Sequence, residues 1–498
     1  MYKFGEMNPK EFYDAKVTTR IQYENRAERI SKMTLPYVFT TKAFNSSAGY
    51  VDNIAQSYCG RLLNTLKAKM GMSLFPPSTS SFRLEPNKEA LMAITQGNPD
   101  MIAEISGKIS SITSQITKEI EAQNIRDVIF DLLLQIIAVG CVVIEKIKDD
   151  GIMLHTLRGF TVDLDNRGEP RAMCLLEKLK DLPVGIEFAE EKEVYNLYTL
   201  IEKDMTTKKW RVTQSIEDIM VGEETMYTED KLPFQYVGWN WTSGDTYHRP
   251  YAEDYIDDIE QYNTLSNLLT KGSVVASKVM IFVDEKGNRT RISDVADSEN
   301  GQVMNGRADD VSAFQLQKNF DFQVPMARLQ DIGKNLSSAF LMNESVTRDA
   351  ERVTAQEIRF MAQELESSSL SGIYSKLSKK VSKRIVKWIM QELKIDFKEV
   401  SVNVITGLDA LGRSQEAQKL DGLVQRMAAM GLNGYLIENE LIQRYAAFDG
   451  IDVTGLIKTP TQVAQERQAQ AQQQAEQMGA ESMAQAAGEG VVQAVAQQ

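Results

Sequence analysis

Apolar residues recur at helical spacing in two stretches of the first 140 residues. In the segment 51–74 they step by four, at Ile54, Tyr58, Leu62, Leu66 and Met70. In the segment 100–139 isoleucines recur at steps of three and four. Such spacing places side chains on one face of an α-helix. The pattern predicts a mostly helical region over 8–75 and a pair of helices over 100–139.

Shorter apolar runs between turn residues indicate strands. They occupy 141–147, 153–157, 194–201, 210–213 and 234–241. The first two flank Asp150-Gly151, which favours a hairpin. Trp239 and Trp241 are two residues apart, so we expect them on the same side of the last strand, in the core or at a subunit interface. Residues 1–250 are therefore expected to form an α+β body.

The pattern changes at Pro250, where apolar residues again step by three and four. They are Tyr251, Tyr255, Ile259, Tyr262, Leu265 and Leu269. They predict a long amphipathic helix over 251–278. Its first ten residues contain five acids and no base, namely Glu253, Asp254, Asp257, Asp258 and Glu260. Acids stabilise a helix N-terminus because they complement the macrodipole.

A compact α/β insert is expected at 279–320, because strand-like runs at 279–283 and 311–316 enclose turn residues. A second helix follows within 321–341. The apolar period then breaks over 342–352, which predicts an irregular loop.

Thr354 and Glu357 have the spacing of a capping box, which marks a helix N-terminus. The helix that it opens is predicted over 353–392, with apolar phase weakened at Ser367-Ser368-Ser369. About 38 helical residues would extend about 57 Å. A return segment at 393–412 with a short strand, helices over 413–460 and a Gln/Ala-rich tail at 461–498 complete an α+β, predominantly helical chain.

Composition narrows the function classes. Lys+Arg number 56 and Asp+Glu 69, which gives a net charge of -13. Proteins that grip nucleic acid are usually basic, so tight DNA binding is disfavoured, whereas a surface past which DNA slides remains compatible. Three widely spaced cysteines favour buried thiols over disulfides or a metal site. We expect no signal peptide and no membrane span.

Catalytic motifs are lacking. The sequence has no G-x-x-x-x-G-K-[ST] string for phosphate binding and no G-x-S-x-G. His155 and His248 have no metal-binding partner at a useful spacing, so structural roles are favoured. The acids at 253–260 suit a two-metal nuclease less well than a helix N-terminus or a solvated pore face. We expect no enzyme, no cofactor and no metal.

Eight short sequence words stand out along the chain. They are Tyr23-Glu-Asn-Arg-Ala27, Leu35-Pro-Tyr-Val-Phe39, Leu74-Phe-Pro76, Gln315-Leu-Gln317, Phe340-Leu-Met-Asn343, Glu351-Arg-Val-Thr-Ala-Gln-Glu-Ile-Arg359, Glu364-Leu-Glu366 and Thr406-Gly-Leu-Asp-Ala-Leu-Gly-Arg413. The string around Thr354 is the most specific. The words cover about 20–460, and there the chain resembles the portal (connector) family of T7-like short-tailed bacteriophages, in which they occur in the same order. The two ends match poorly.

The resemblance implies a portal fold and its divisions. They are a wing (1–250), a first stem helix (251–278), a clip (279–320), a second stem helix (321–341), a tunnel loop (342–352), a spine helix (353–392), a return to the wing (393–412), a crown (413–460) and the tail (461–498).

It also implies a virion protein, assembled in the host cytoplasm, that forms a ring of about twelve copies at one capsid vertex. The ring would conduct double-stranded DNA in packaging and ejection. Its partners would be the major capsid and scaffolding proteins, the terminase, the tail adaptor and internal core proteins, with no membrane.

Candidate site residues follow from the same resemblance. The tunnel loop would contribute Asn343, Glu344, Arg348 and Arg352, the channel wall Glu253, Asp254, Asp257, Asp258 and Lys334, and the clip interface Lys286, Arg289 and Arg291. The two loop arginines would contact DNA phosphates or pair with acids of a neighbouring subunit. For the clip cations, docking of terminase or adaptor and a solvated loop are both open.

A basic run late in the predicted long helix has two interpretations. It comprises Lys376, Lys379, Lys380, Lys383, Arg384 and Lys387. A solvated face that complements the helix dipole is favoured; contact with packaged DNA or an acidic neighbour is the alternative. Two rival functions also remain, namely another virion structural protein, such as an internal core or tail-tube component, and a DNA-processing enzyme.

Overall fold

The protein is described from a computed structural model. It describes residues 4–39, 56–76, 81–86, 92–93, 95–96, 99–148, 150–183, 188, 193–276, 279–283, 297, 311–315, 322–342, 355–395, 402–406, 413–431, 441–442 and 445. The chain divides into two units. Unit 1 comprises Met1–Met72, Asn124–Thr354 and Glu364–Tyr374, and unit 2 comprises Ser73–Gln123, Ala355–Gln363 and Ser375–Gln498.

The described elements alternate between helices and antiparallel strands. The α-helices are α1 (Pro9–Met33), α2 (Tyr58–Leu74), α3 (Pro99–Ala122), α4 (Ile125–Ala138), α5 (Ile256–Ala276), α6 (Gln323–Ala339), α7 (Ala355–Ser367), α8 (Ser371–Leu377), α9 (Lys383–Glu392) and α10 (Arg413–Ala429). The strands are β1 (Phe82–Pro86), β2 (Cys141–Ile147), β3 (Gly151–His155), β4 (Phe160–Leu164), β5 (Pro170–Leu179), β6 (Tyr195–Lys203), β7 (Trp210–Ile216), β8 (Ile219–Tyr227), β9 (Phe234–Gly238), β10 (Val279–Val283), β11 (Val311–Gln315) and β12 (Val402–Thr406). The predicted α+β class is confirmed.

In unit 1, α1 lies on a five-stranded antiparallel sheet of order β4-β5-β6-β7-β8. Asn8 and Glu11 form a capping box that satisfies backbone donors at the start of α1. Phe12 and Tyr13 then pack into a buried apolar cluster with Cys174 and Leu200 of the sheet. Burying these side chains stabilises the unit, because each removes apolar surface from water.

A second sheet of unit 1 has the order β3-β2-β9 and packs against α4. Gly140 joins α4 to this sheet with φ +109°. A Cβ there would lie 2.5 Å from the carbonyl oxygen of His248 and 2.8 Å from the nitrogen of Pro250. Only glycine allows the segment that leads to Pro250 to approach so closely.

The helix–insert–helix order predicted for 251–341 is present, with α5, the antiparallel pair β10-β11, and then α6. The first turn, Tyr251–Tyr255, is a 3-10 helix, so the α-helix begins later than the sequence predicts. In β10-β11, Val279 pairs with Gln315. The two helices pack against each other.

In unit 2, β1 pairs antiparallel with β12, with Phe82 opposite Thr406. Helix α3 packs against α9, and Gln123 donates from Nε2 to Oε2 of Glu392 at 3.0 Å. The short strand predicted within 393–412 is therefore confirmed, and its partner strand lies more than 300 residues away in sequence.

The described part of the long helix predicted over 353–392 has two breaks, and the first lies at the serines where the apolar phase is weakest. Helix α7 ends at Ser367, α8 begins at Ser371, and Ser378–Ser382 form a π-helical turn before α9. At the first break, the hydroxyl of Ser368 donates to the carbonyl of Leu365 and accepts the N–H of Leu370. Serine side chains compete in this way with the backbone bonds of a helix.

The predicted strand over 234–241 is also too long. Strand β9 ends at Gly238, so Trp239 and Trp241 do not share a strand face. Trp239 is buried against Tyr251, with ring centroids 5.0 Å apart. Half-buried Trp241 instead donates from Nε1 to the carbonyl of Asp245 at 3.0 Å.

All three cysteines of the chain are buried free thiols, as predicted. Burial raises the pKa of Cys59 and of Cys141 to about 12 and raises that of Cys174 well above its usual value. Within the described ranges, no helix combines the length and apolar character needed to cross a bilayer.

Candidate functional site

The acidic segment after Pro250 is held by an aromatic cluster at its base. The hydroxyl of Tyr251 donates to the carbonyl of Ala339 at 2.7 Å, and its ring lies 5.1 Å from that of Phe340. Tyr255 also packs edge-on against Phe340 at 5.5 Å. The start of α5 is thereby fastened to the end of α6.

Arginines of α1 face these acids. Arg29 donates from Nε to Oε1 of Glu260 at 2.6 Å and from Nη2 to Asp257 at 3.2 Å. Nη1 of Arg26 lies 3.4 Å from Oε1 of Glu253. Two of the four acids predicted to line a channel, Glu253 and Asp257, therefore have a basic partner in the same chain, as does the neighbouring Glu260.

The pairing perturbs both partners. Hydrogen bonding to Arg29 lowers the pKa of Glu260, and hydrogen bonding to Glu260 raises the pKa of Arg29. The side chain of Arg29 is half exposed, so the pair adds little to folding stability. Its consequence is chemical: the guanidinium is occupied by carboxylates of its own chain, which compete with any phosphate that approaches.

The other predicted wall residues lie nearby on the surface of unit 1. Asp254 is exposed, Asp258 is half-buried and Lys334 is exposed on α6. An open depression of about 620 Å³ lies between α5 and α6. It is lined by Asp257, Glu260, Gln261, Thr264, Leu265 and Arg328. The described surface of α5 and α6 thus mixes acidic, basic and neutral groups, whereas the prediction from sequence stressed the acids.

Close contacts set the alignment of α5 and α6. A Cβ on Gly272 would lie 2.5 Å from the ring of Phe322, and the ring of Tyr262 packs beside Gly333. The helices therefore run antiparallel. Helix α2 also contributes, because Tyr58 stacks on Tyr262 at 4.9 Å and donates to the carbonyl of Gly333 at 2.6 Å.

Large apolar side chains remain exposed on both helices of this pair. They are Leu268 and Val274 on α5, and Val324 and Met326 on α6. Exposed apolar groups that cluster on one element are typical of a protein–protein contact surface.

Lys69 of α2 connects two positions in unit 1 that are far apart in sequence. Its Nζ donates to the carbonyl of Leu341 at 2.6 Å and to Oε2 of Glu364 at 2.9 Å. The Lys69 side chain is only 3% exposed and that of Glu364 18%. Leu341 has φ +54°, at the end of the helical segment before the predicted tunnel loop. Lys69 therefore ties together the chain just before and shortly after that loop.

Several predicted site residues lie outside the described residues. They are Asn343, Glu344, Arg348 and Arg352 of the tunnel loop, and Lys286, Arg289 and Arg291 of the clip.

In the basic run, the structure divides the side chains between surface and interior. Lys379 and Lys383 are exposed, whereas Arg384 is buried with its guanidinium 6.0 Å from the ring centroid of Trp388. A single solvated face therefore does not describe the whole run.

Both histidines are buried and hydrogen-bonded. Nδ1 of His248 lies 3.1 Å from the hydroxyl of Tyr236. Nε2 of His155 lies 2.8 Å from Oε2 of Glu145 and 3.8 Å from Oε1 of Glu177. Desolvation and the neighbouring Glu145 carboxylate raise the pKa of Glu177. Sequence spacing gave no sign of this grouping, because strand packing brings the three residues together.

Comparison with known proteins identifies the family. The family model described as "Bacteriophage head to tail connecting protein" matches residues 10–454. The chain belongs to this family. The portal protein of Enterobacteria phage T3 is 30% identical over 512 residues, covering 98% of this chain and 94% of that protein. The portal protein of Escherichia phage T7 is 29% identical, covering 97% and 94%.

The resemblance to T7-like connectors predicted from ordered sequence words is therefore confirmed. Among solved structures, the neck of an empty GTA particle matches with a TM-score of 0.41 and 11% identity, over 84% of this chain and 94% of that chain. A structural match with so low a TM-score adds nothing to the family assignment, which rests on the sequence matches.

Proposed function

We propose that this head-to-tail connector protein is a portal subunit that forms a closed ring of about twelve copies at one capsid vertex. The ring would be the channel for genome packaging and ejection, in a structural role without catalysis. The family match over residues 10–454 carries this proposal. The order of α5, the β10-β11 pair and α6 supports it, because it follows the stem–clip–stem order of the family resemblance.

In the proposed ring, α5 and α6 form the stem and line the channel. Non-adhesive passage of DNA requires few free cations on the wall, because each contact between a cation and a phosphate adds affinity. Arg26 and Arg29 are held by Glu253, Asp257 and Glu260. The acids would thus act by occupying these arginines as well as by repelling phosphates.

The tunnel loop would be a constriction, with Arg348 and Arg352 touching phosphates or acids of a neighbouring subunit. Lys69 supports a defined position for it, because this buried cation binds the carbonyl of Leu341 and the carboxylate of Glu364.

The clip, with Lys286, Arg289 and Arg291, would dock the terminase during packaging and the tail adaptor afterwards. Capsid, scaffolding and internal core proteins would contact other faces of the ring. We place the protein in the virion, assembled in the host cytoplasm.

Ring formation is testable on the purified full chain. Negative-stain microscopy and mass measurement are expected to show rings with a central hole and a mass about twelve times the 56.0 kDa subunit. A monomer at every salt and protein concentration would contradict the proposal.

A double variant tests whether α5 and α6 lie at the subunit interface of the proposed ring. Gly272 packs against Phe322 and Tyr262 against Gly333, which puts exposed Leu268 and Met326 at one level of the helix pair. Leu268→Asp with Met326→Asp is expected to lower ring yield at least about tenfold, since neighbour packing would bury both charges. Met205→Asp, at a turn residue that is 70% exposed, is the control and should assemble normally. If the double variant and the Met205→Asp control give equal ring yields, α5 and α6 do not lie at the subunit interface.

The constriction has its own test. Arg348→Ala with Arg352→Ala is expected to leave ring yield unchanged and to lower the fraction of packaged DNA that particles retain. The measurement compares nuclease-protected DNA in particles before and after incubation. Unchanged retention would exclude the constriction role and leave the portal assignment intact.

A further inference from the structure

Three potential metal ligands converge where the two sheets of unit 1 meet. Glu145 lies on β2 and His155 on β3 of the three-stranded sheet, and Glu177 lies on β5 of the five-stranded sheet. Within the three-stranded sheet, Val143 pairs with His155 and Glu145 with Met153. Glu145 and His155 are thus diagonal neighbours on one sheet face.

The donor atoms have separations that suit a shared cation. Nε2 of His155 is 2.8 Å from the Glu145 oxygen and 3.8 Å from the Glu177 oxygen, and all three atoms lie within 4.8 Å of one another. Metal–ligand bonds of about 2.1 Å in a tetrahedron separate the ligand atoms by about 3.4 Å. Small rotamer changes would bring these three atoms to that spacing.

The three side chains of the group differ in their exposure to solvent. The side chain of His155 is 5% exposed, whereas the side chains of Glu145 and Glu177 are 19% and 32% exposed. A hydrated ion could therefore reach the carboxylates from solvent and bind the imidazole beneath them. Three protein ligands would leave at least one coordination position for water.

Charge in the group also favours a divalent ion. Two carboxylates meet one imidazole here, because Oε2 of Glu145 and Oε1 of Glu177 lie 2.8 Å and 3.8 Å from Nε2 of His155. A protonated imidazole would compensate one of the two carboxylates, whereas a dication beside a neutral imidazole would compensate both. Ion pairing of His155 with Glu145 alone explains two of the three residues and leaves the approach of Glu177 unexplained.

We propose that Glu145, His155 and Glu177 bind a divalent transition-metal ion of the zinc class, which fastens the two sheets to each other. An imidazole ligand favours zinc-like ions over Mg²⁺ and Ca²⁺, which prefer ligands made only of oxygen. The role is structural, and it is independent of whether the protein assembles into rings.

The test uses the full chain after chelator treatment, with ZnCl2 as the probe and MgCl2 for comparison. Isothermal titration is expected to show one zinc site per chain that Glu177→Gln weakens at least about tenfold. Zinc should raise the melting temperature of the wild type in a concentration-dependent manner, because it binds the folded state. The same shift should be lost in the variant.

Glu223→Gln is the matched control, because it removes one carboxylate from an exposed position on β8 of the same five-stranded sheet. It should bind zinc like the wild type. His155→Asn is a second variant. If His155→Asn fails to fold, the comparison of the wild type with Glu177→Gln still decides the outcome. Equal zinc affinity in the wild type and Glu177→Gln, or no zinc binding by the wild type, would overturn the proposal. Ring yield, scored separately, distinguishes this failure from failure of the portal function.

Discussion

Replacing Gly140 by alanine is expected to destabilise unit 1 by at least about 3 kcal/mol. The new Cβ would lie 2.5 Å from the carbonyl oxygen of His248 and 2.8 Å from the nitrogen of Pro250. Both are backbone atoms, so no side-chain rotation relieves the clash. The segment before the 3-10 turn at Tyr251 must move, or β2 must separate from it. Urea denaturation followed by tryptophan fluorescence measures the loss.

Gly244→Ala is the matched control for this variant. Gly244 has φ +100°, close to the +109° of Gly140, and nothing lies within 4 Å of a Cβ built on it. The loss of stability in Gly244→Ala therefore measures backbone strain without a steric clash, which costs about 1–3 kcal/mol. If the two variants lose the same stability, the close approach at Gly140 is unimportant.

Lys69→Met is expected to cost about 3–5 kcal/mol, the range typical for breaking a buried ion pair. The change removes a nearly fully buried ammonium group that binds both the Leu341 carbonyl and the Glu364 carboxylate. It keeps most of the side-chain volume, so the loss reflects charge and hydrogen bonding. The effect should appear in denaturation midpoints and as faster proteolysis near the predicted tunnel loop.

A double-mutant cycle separates the two contacts of Lys69. Glu364→Gln alone removes the charge of the partner and keeps a hydrogen-bond acceptor. The Lys69→Met/Glu364→Gln double variant gives the coupling energy. A coupling near zero, together with unchanged proteolysis, would show that Lys69 does not hold the two segments together.

Local signals were sufficient for much of this fold. The turn at Asp150-Gly151 and the apolar run before it predicted the β2-β3 hairpin, and the break near residue 124 separates the two helices expected over 100–139. The family resemblance also came from the sequence alone, because short sequence words in a fixed order can be recognised without knowing which residues are in contact.

Contacts between distant segments were the part that the sequence did not reveal. Arg29 and Glu260 are 231 residues apart, so the acids after Pro250 looked like an unpaired cluster. The group of Glu145, His155 and Glu177 depends on two sheets meeting. The weak apolar phase at Ser367-Ser368-Ser369 did mark the first break of the long helix, whereas the π-helical turn at Ser378–Ser382 had no such signal.

The burial of every native thiol gives the chain a practical property. Because the three cysteines are buried and their thiols are hard to ionise, maleimide reagents will spare them while the protein is folded. A cysteine introduced at an exposed position, such as Met205, would be labelled selectively. A fluorophore attached there would report on the surroundings of that position in the otherwise native protein.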